Sequence, residues 1–389
     1  LARMIANVVY VGVLAELLGM DQDVLEAAIA KQFGGKEKAI ELNSEAARLG
    51  RAYCAEELTK QDDYFVEARD IEEGGFFIEG NEAIALGSIF GGIQMLGWYP
   101  ITPSSSVCEG IISWLPKLRT HEGKATYAII QAEDELAAAG MIIGAGWAGA
   151  RGLTATSGPG ISLMQEFIGL AYFAEVPCVF WDINRVGPST GLPTRTQQGD
   201  LTMLYESSHG DTKHIVFMPG TVEECFEFGW KVFDASEKFQ TPVFGFSDLD
   251  LGMNKWACRG FEYPDEPMDR GKLVLTQEQM DSIENYGRYR DVDGDGIPYR
   301  TLPGSGLDPI LYRGTGHDED GTYSEKPEVY YKLMQRLGRK IDGARDYLPA
   351  PIIKEDEKQE LGVIFYGSME NTINEIEDLV EEMSGKVIS

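Results

Sequence analysis

Residues 129–164 contain two consecutive strand–turn–helix units, which restrict the chain to a small set of folds. An apolar run over 125–130 leads to the acidic triplet EDE (133–135) and a long run of mostly small residues. A second apolar run over 151–156 leads through the turn SGPG (157–160) to another helical pattern. Strands joined by helices lie parallel in one sheet, so both turns are expected at its carboxyl edge, where open α/β sheets bind ligands.

Five segments are predicted along the 389 residues, enough for several domains. Residues 1–58 read as helices only, and polar residues at 59–78 form a linker. An α/β domain follows over 79–255. Residues 256–354, rich in Pro, Gly and Asp, form an irregular connecting segment. Residues 355–389 read as the start of a further α/β domain, and this incomplete end suggests part of a longer protein.

Within the α/β domain, six short apolar runs are predicted to form one doubly wound sheet. Asn81 is expected to cap a helix over 82–96. In the last segment, the apolar run 361–366 is expected to be a buried strand followed by a helix over 370–383. The six predicted strands of the domain are 98–101, 125–130, 151–156, 177–183, 213–218 and 241–246.

Composition excludes several classes of protein. With 34 Lys and Arg against 63 Asp and Glu, the net charge of −29 disfavours nucleic acid or an anionic membrane as partner. Five widely spaced cysteines contain no C-x-x-C pair, so no disulfide framework is visible and a reducing cytoplasm is expected. No signal peptide or membrane span is recognisable near the N-terminus.

Two loops carry further candidates. The segment 184–198, NRVGPSTGLPTRTQQ, has almost nothing to bury, and a loop this long in a compact domain is more often functional than idle. Asp291, Asp293 and Asp295 imitate the opening of a calcium loop. The twelfth position of that loop is Leu302 where a glutamate belongs, so a tight acidic turn is the alternative.

Four ordered motifs resemble the α subunit of the 2-oxoacid:ferredoxin oxidoreductases. They are GNEAIALG (80–87), YPITPSS (99–105), the helix at Glu135, and GPSTGLPTRTQQGDL (187–201). The forms GPSTGLPT and GTGHDEDG (314–321) look most like the 2-oxoglutarate branch. The resemblance implies a thiamine diphosphate fold of the pyrimidine-binding type over 79–255. The helical start resembles the end of a fused γ domain, and residues from 355 resemble the start of a transketolase C-terminal-like domain.

The resemblance also implies roles for individual residues. Glu135 is implied to activate the aminopyrimidine ring, Thr102 to contact cofactor or substrate, and Arg185 to hold the substrate carboxylate, for which an arginine fork is suited. The implied cofactor-binding residues are Pro100, Ile101, Thr102, Glu135 and Gly158. The implied substrate-binding residues are Thr102, Arg185, Ser189, Thr190, Thr194 and Arg195.

Each role has a simpler alternative. Glu133 to Glu135 also suit the acidic first turn of a helix, which the helix dipole favours. Glu133 is a rival for Glu135, and the spacing to TSGPG favours Glu135. Arg185 also fits an ordinary loop arginine.

The cofactor site is expected to be shared with another chain. The only GDG sequence, at 294–296, lies in a loop-like segment and does not lead into a helix. The resemblance therefore implies a separate β subunit that carries the diphosphate site with Mg²⁺ and a [4Fe-4S] cluster.

The implied reaction is the CoA-dependent oxidative decarboxylation of a 2-oxoacid, or the reverse reaction. The favoured substrate is 2-oxoglutarate, which would give succinyl-CoA. Ferredoxin is the implied electron partner, and the implied assembly is a dimer of heterodimers. A non-oxidative thiamine diphosphate enzyme of the acetolactate-synthase type is an alternative. A non-catalytic binding subunit is another.

Overall fold

A computed structural model describes residues 2–68, 75–307, 312–354 and 361–384. Parts of the predicted linker (59–78) and of the predicted C-terminal domain (355–389) lie outside the described residues. The chain divides into two compact units, Leu1–Glu73 and Gly74–Ser389. Each is described by itself.

The described residues of the first unit contain three helices and no strand, in agreement with the helical pattern of the sequence. Asp21 caps α2, because its side chain accepts hydrogen bonds from the backbone of Asp23 and Val24. The fully buried side chains Ala15 and Ala47 let α1 and α3 pack closely. The helices are α1 (Ala2–Leu17), α2 (Gln22–Phe33) and α3 (Glu37–Glu57).

The second unit is built on a six-stranded sheet in the order β5-β2-β6-β7-β9-β8, with all neighbours parallel. Two small antiparallel pairs, β1 with β10 and β3 with β4, lie outside it. The strands are β1 (Phe76–Glu79), β2 (Met95–Trp98), β3 (Thr120–His121), β4 (Lys124–Ala125), β5 (Ala128–Gln131), β6 (Gly152–Thr156), β7 (Cys178–Asn184), β8 (Ile215–Phe217), β9 (Pro242–Asp248) and β10 (Lys255–Cys258).

Helices cover both faces of this sheet. α4, α5 and α9 bury one face around Trp181, and α6 and α7 bury the other around Phe180 and Phe244. The helices of this unit are α4 (Gly80–Phe90), α5 (Ser105–Leu118), α6 (Glu135–Trp147), α7 (Gly158–Ala174), α8 (Leu201–Tyr205), α9 (Val222–Phe239), α10 (Leu249–Met253), α11 (Gln277–Asp281), α12 (Pro327–Gly343) and α13 (Ile373–Ser384).

The connecting segment is fastened to the sheet domain by buried ion pairs. Glu175, at the end of α7, is fully buried and pairs with Arg336 and with Lys340 Nζ at 2.8 Å. Lys340 Nζ also donates to the backbone oxygen of Gln240, which ends α9, and Arg288 donates to that of Glu175. Cations are favoured at the carboxyl ends of helices, so α12 is held against α7 and α9 by charge as well as by packing.

A second buried group of charges lies at the start of β6. Arg151 pairs with Asp234 at 2.7 Å and with Glu237 at 2.9 Å. Glu237 also pairs with Arg300 of the connecting segment at 3.2 Å. The sequence gives no sign of either group, because the partners lie far apart in the chain.

The predicted six-stranded doubly wound sheet is present, with two corrections near its start. The helix predicted over 82–96 ends at Phe90, and the strand predicted over 98–101 is β2 at Met95–Trp98. The residues from Tyr99 to Ser104 therefore form the turn that follows β2. Asn81 is not a cap but the second residue of α4, with a fully buried side chain.

The strand predicted over 361–366 is wrong. These residues belong to no strand of the structure, and Ile364 is 99% exposed. A strand needs a neighbour to satisfy its backbone groups, and only Leu361 of this run forms an isolated bridge. A short 3₁₀ helix follows at Gly367–Thr372, and then α13.

Candidate active site

The carboxyl edge of the sheet has a topological switch point between β2 and β6. The chain leaves β2 toward β5 on one side and leaves β6 toward β7 on the other. A crevice is therefore expected between the turn YPITPSS after β2 and the start of α7, which follows Ser157 directly after β6. Open α/β sheets bind ligands at such a crevice.

Glu135 reaches into this crevice from the first turn of α6. It is 6% exposed, and its carboxylate forms no hydrogen bond or ion pair within the described residues. A Cβ built on Gly160 would lie 2.9 Å from Glu135 Cγ and 1.9 Å from Thr156 Oγ1. The absence of a side chain at Gly160 is thus what lets the glutamate lie against the start of α7.

The other two acidic residues of the triplet have different surroundings. Asp134 is the N-cap of α6, and its Oδ1 accepts a hydrogen bond from the backbone of Ala137 at 2.7 Å. Glu133 is exposed to solvent. Of the three, Glu135 is the carboxylate that the fold buries at the switch point.

The turn after β2 is braced by a residue whose role was missed in the sequence. Asn81 Nδ2 donates to the backbone oxygen of Pro103 at 2.9 Å and to Ser106 Oγ at 2.7 Å. Thr102 and Pro100 remain exposed, and Ile101 is half-buried. Asn81 belongs to the GNEAIALG motif, but nothing local distinguishes a brace from a helix cap.

Arg185 joins this turn to the end of β7. The residue is 6% exposed, and its Nη1 donates to the backbone oxygen of Thr102 at 2.6 Å. Nε has no partner in the described structure. The guanidinium therefore keeps hydrogen-bonding capacity at the crevice, and Thr102 and Arg185 are brought together as the sequence suggests.

The loop 186–199, here called the substrate loop after the role that the resemblance implies for it, forms a small exposed hairpin after Arg185. The backbone of Val186 bonds to that of Leu192 and Arg195, at 2.9 and 3.0 Å. Arg195 Nη1 contacts only the oxygens of its neighbour Thr194 among the described residues. The exposed polar side chains of this loop are Ser189, Thr190, Thr194 and Arg195.

The carboxyl end of the substrate loop is tied to the C-terminal segment, which the sequence did not indicate. Gln198 donates to Asp248 at 2.8 Å and to the backbone of Tyr366 at 3.1 Å, and Tyr366 donates back to the oxygen of Gln198 at 2.8 Å. Ser368 Oγ donates to the same Asp248 carboxylate at 2.7 Å. The contact joins residues 168 positions apart, so no local pattern could have shown it.

The acidic turn with the weak cation-site candidates Asp291, Asp293 and Asp295 is paired with basic side chains. Lys272 Nζ lies between two of its carboxylates, 2.6 Å from Asp293 and 2.8 Å from Asp295, and Arg339 pairs with Asp291 at 2.9 Å. No cluster of potential metal ligands occurs in the described parts of the chain. The acidic turn is neutralised by side chains.

Two family models match the chain. One, "Pyruvate flavodoxin/ferredoxin oxidoreductase, thiamine diP-bdg", matches residues 87–259, and one described as "Pyruvate ferredoxin/flavodoxin oxidoreductase" matches residues 2–53. The 2-oxoglutarate synthase subunit KorA of Methanocaldococcus jannaschii is 36% identical over 76% of this chain and 76% of its own length. The chain belongs to the 2-oxoacid:ferredoxin oxidoreductase family. Family membership argues against the acetolactate-synthase alternative.

Longer family members are also similar. The α subunit of 2-oxoacid:ferredoxin oxidoreductase 2 from Aeropyrum pernix is 35% identical over 94% of this chain, which spans 58% of that relative. The solved 2-oxoglutarate:ferredoxin oxidoreductase from Magnetococcus marinus, with 2-oxoglutarate, coenzyme A and succinyl-CoA bound, superposes with a TM-score of 0.82 at 30% identity. That match covers 98% of this chain and 64% of the Magnetococcus chain. In the described part of this family member, no helix is long and apolar enough to cross a membrane.

Proposed function

We propose that this chain is the α-type part of an enzyme that converts 2-oxoglutarate and CoA to succinyl-CoA and carbon dioxide, or runs the reverse reaction. Electrons would pass singly to ferredoxin. The observation that carries the proposal is Glu135, which lies at the switch point with 6% of its surface exposed and with no hydrogen-bond partner among the described residues. Its carboxylate is therefore available to a ligand that supplies a donor.

The crevice fits the aminopyrimidine half of thiamine diphosphate. Glu135 would accept a hydrogen bond from the ring and control the position of its proton, and the absence of a side chain at Gly160 lets it lie there. Gly158, at the start of the same helix, would line the cofactor site. The cofactor, when bound, supplies the nucleophilic carbon for decarboxylation. The diphosphate, Mg²⁺ and a [4Fe-4S] cluster would be held by a β subunit, in a dimer of heterodimers. Residues 1–58 would be the end of a γ-type domain.

Substrate binding would fall to Arg185 and the substrate loop. Arg185 would hold the carboxylate next to the keto group, since it lies beside Thr102 at the switch point and a fork suits a carboxylate. The distal carboxylate of 2-oxoglutarate would be bound by the polar side chains of the loop, Ser189, Thr190, Thr194 and Arg195. Pro100, Ile101 and Thr102 would line the cofactor side. A cytoplasmic location fits five cysteines that are all free.

Reconstitution tests the proposal. The chain should copurify with a β subunit that carries GDG and C-x-x-C motifs, and only the complex should reduce ferredoxin with 2-oxoglutarate and CoA. By calorimetry, the chain alone should bind thiamine diphosphate weakly or not at all. Tight, magnesium-dependent binding to the chain alone would contradict the shared site.

A further inference from the structure

Asp182 and Asp200 form a pair of carboxyl groups at the base of the substrate loop. Asp182 lies in β7 and is fully buried. Asp200 follows the loop, and a Cβ built on Gly158 would lie 2.4 Å from its Oδ2, so this carboxylate rests on the first turn of α7. Asp182 and Asn184 point to the same face of β7, and Asn184 Nδ2 donates to Asp200, so the two aspartate side chains face each other at the end of this strand.

This arrangement requires a proton. No N–H or O–H donor of the described residues reaches either oxygen of Asp182. Two ionised carboxylates have no donor between them and repel each other, so one of the pair must be protonated. Asp200 is the better anion, because Asn184 Nδ2 donates to it. Burial raises the pKa of Asp182 well above its usual range, and the Asp200 carboxylate raises it further.

We propose that Asp182 is a neutral carboxylic acid that donates its proton to Asp200 and thereby fixes the carboxyl end of the substrate loop. Asn184 extends this anchor, because its Oδ1 accepts a hydrogen bond from the backbone of Gly199 at 2.9 Å. Arg185 follows directly in the chain, so the anchor holds the arginine and the loop as one unit. Asp182 is a positioning residue. Its effect on substrate binding rests on the proposed function, but its effect on the loop does not.

Limited proteolysis of the full chain tests the anchor without any assay of activity. Trypsin can cleave after Arg195 in the exposed loop, and cleavage after Lys117 in α5 reports general unfolding. Asp182→Ala removes one of the two donors of the half-buried Asp200, so the ratio of cleavage at Arg195 to that at Lys117 should rise by about tenfold.

Asp182→Asn keeps a neutral donor of the same shape and should leave that cleavage ratio at the wild-type value. The matched control is Thr154→Val, since Thr154 is fully buried in the adjacent strand β6 and its hydroxyl has no partner among the described residues. It should also leave the ratio unchanged. The proposal fails if Asp182→Ala does not change the ratio, or if Asp182→Asn raises it as much as Asp182→Ala does.

Infrared spectroscopy tests the proton itself, whether or not the alanine variant folds. At neutral pH the wild-type minus Asp182→Asn difference spectrum should contain the carbonyl band of a protonated carboxyl group. Absence of that band would overturn the proposal. In the reconstituted enzyme, Asp182→Ala should raise the KM for the 2-oxoacid more than it lowers kcat. A loss confined to kcat would count against a role in holding the loop.

Discussion

Arg185 Nη1 lies 2.6 Å from the backbone oxygen of Thr102, so the end of β7 is joined directly to the turn that follows β2. The two residues are 83 positions apart in the chain. This hydrogen bond holds the arginine at the switch point of the sheet, beside the crevice that Glu135 enters.

Replacing Arg185 should therefore weaken substrate binding. A charged hydrogen bond contributes about 1.5–3 kcal/mol, so Arg185→Ala should raise the KM for the 2-oxoacid by more than about tenfold. Lysine should restore binding only in part, because it lacks the fork. Steady-state kinetics of the reconstituted enzyme would measure this, with Lys124→Ala in the exposed β3–β4 hairpin as control. An unchanged KM would show that another group holds the carboxylate.

Arg195 should determine the preference of the enzyme for 2-oxoglutarate over pyruvate. Its guanidinium contacts only Thr194 within the described chain, so it has donors left for a distal carboxylate. Arg195→Ala should lower kcat/KM far more for 2-oxoglutarate than for pyruvate, which lacks that group. An equal loss of kcat/KM for the two substrates would mean that the loop does not bind the distal carboxylate.

Glu135 should be essential for turnover and Glu133 should not. Glu135→Gln removes the buried carboxylate that would control the ring proton, so turnover should be abolished while the fold, followed by circular dichroism, stays intact. Glu133→Gln is the matched control, since that side chain is exposed. If Glu133→Gln is the inactive variant, Glu133 and not Glu135 is the activator.

Gly160→Ala should disturb the site through Glu135. The added Cβ would lie 1.9 Å from Thr156 Oγ1 and 2.9 Å from Glu135 Cγ, so both side chains must move. A displacement of about 1 Å can cost roughly a hundredfold in rate, and kcat should fall on that scale. Gly144→Ala is the control, because nothing lies within 4 Å of that Cβ and alanine favours a helix by about 1 kcal/mol. Wild-type kcat in Gly160→Ala would show that the crevice is wider than described.

Glu175 should make the free energy of unfolding depend on pH in the acid range. Arg336 and Lys340 hold its pKa below the ordinary value of 4.5, against the effect of burial. Because the folded-state pKa is depressed, this stabilisation is present above the unfolded value and is lost as pH falls below about 4.5. Urea denaturation should show a steep loss in this range that Glu175→Gln abolishes. At pH 7 that variant should be destabilised by about 3–5 kcal/mol, since it leaves buried cations unpaired. A pH profile identical to wild type would contradict this assignment.

Local pattern alone determined the elements of the sheet domain. Alternation of apolar runs with helical periodicity indicated six parallel strands, because apolar runs joined by helices are buried between them, although the edge strand β5 stays largely exposed. The turns SGPG and YPITPSS follow two strands directly, so their place at the carboxyl edge also followed from chain order. The run 361–366 was misjudged for the same reason: apolar composition signals burial, but a strand also needs a partner.

Only the tertiary structure decided which side chains meet at the crevice and how they are held. Glu135 and Glu133 are chemically alike in the sequence, and burial against Gly160 distinguishes them. An acidic residue inside the apolar strand CVFWDIN was visible at Asp182, but its partner Asp200 was not. Long-range contacts such as Gln198 with Tyr366 depend on packing of the whole domain. Sequence periodicity reports which face of an element is buried, whereas the partner on that face is set by how the elements pack.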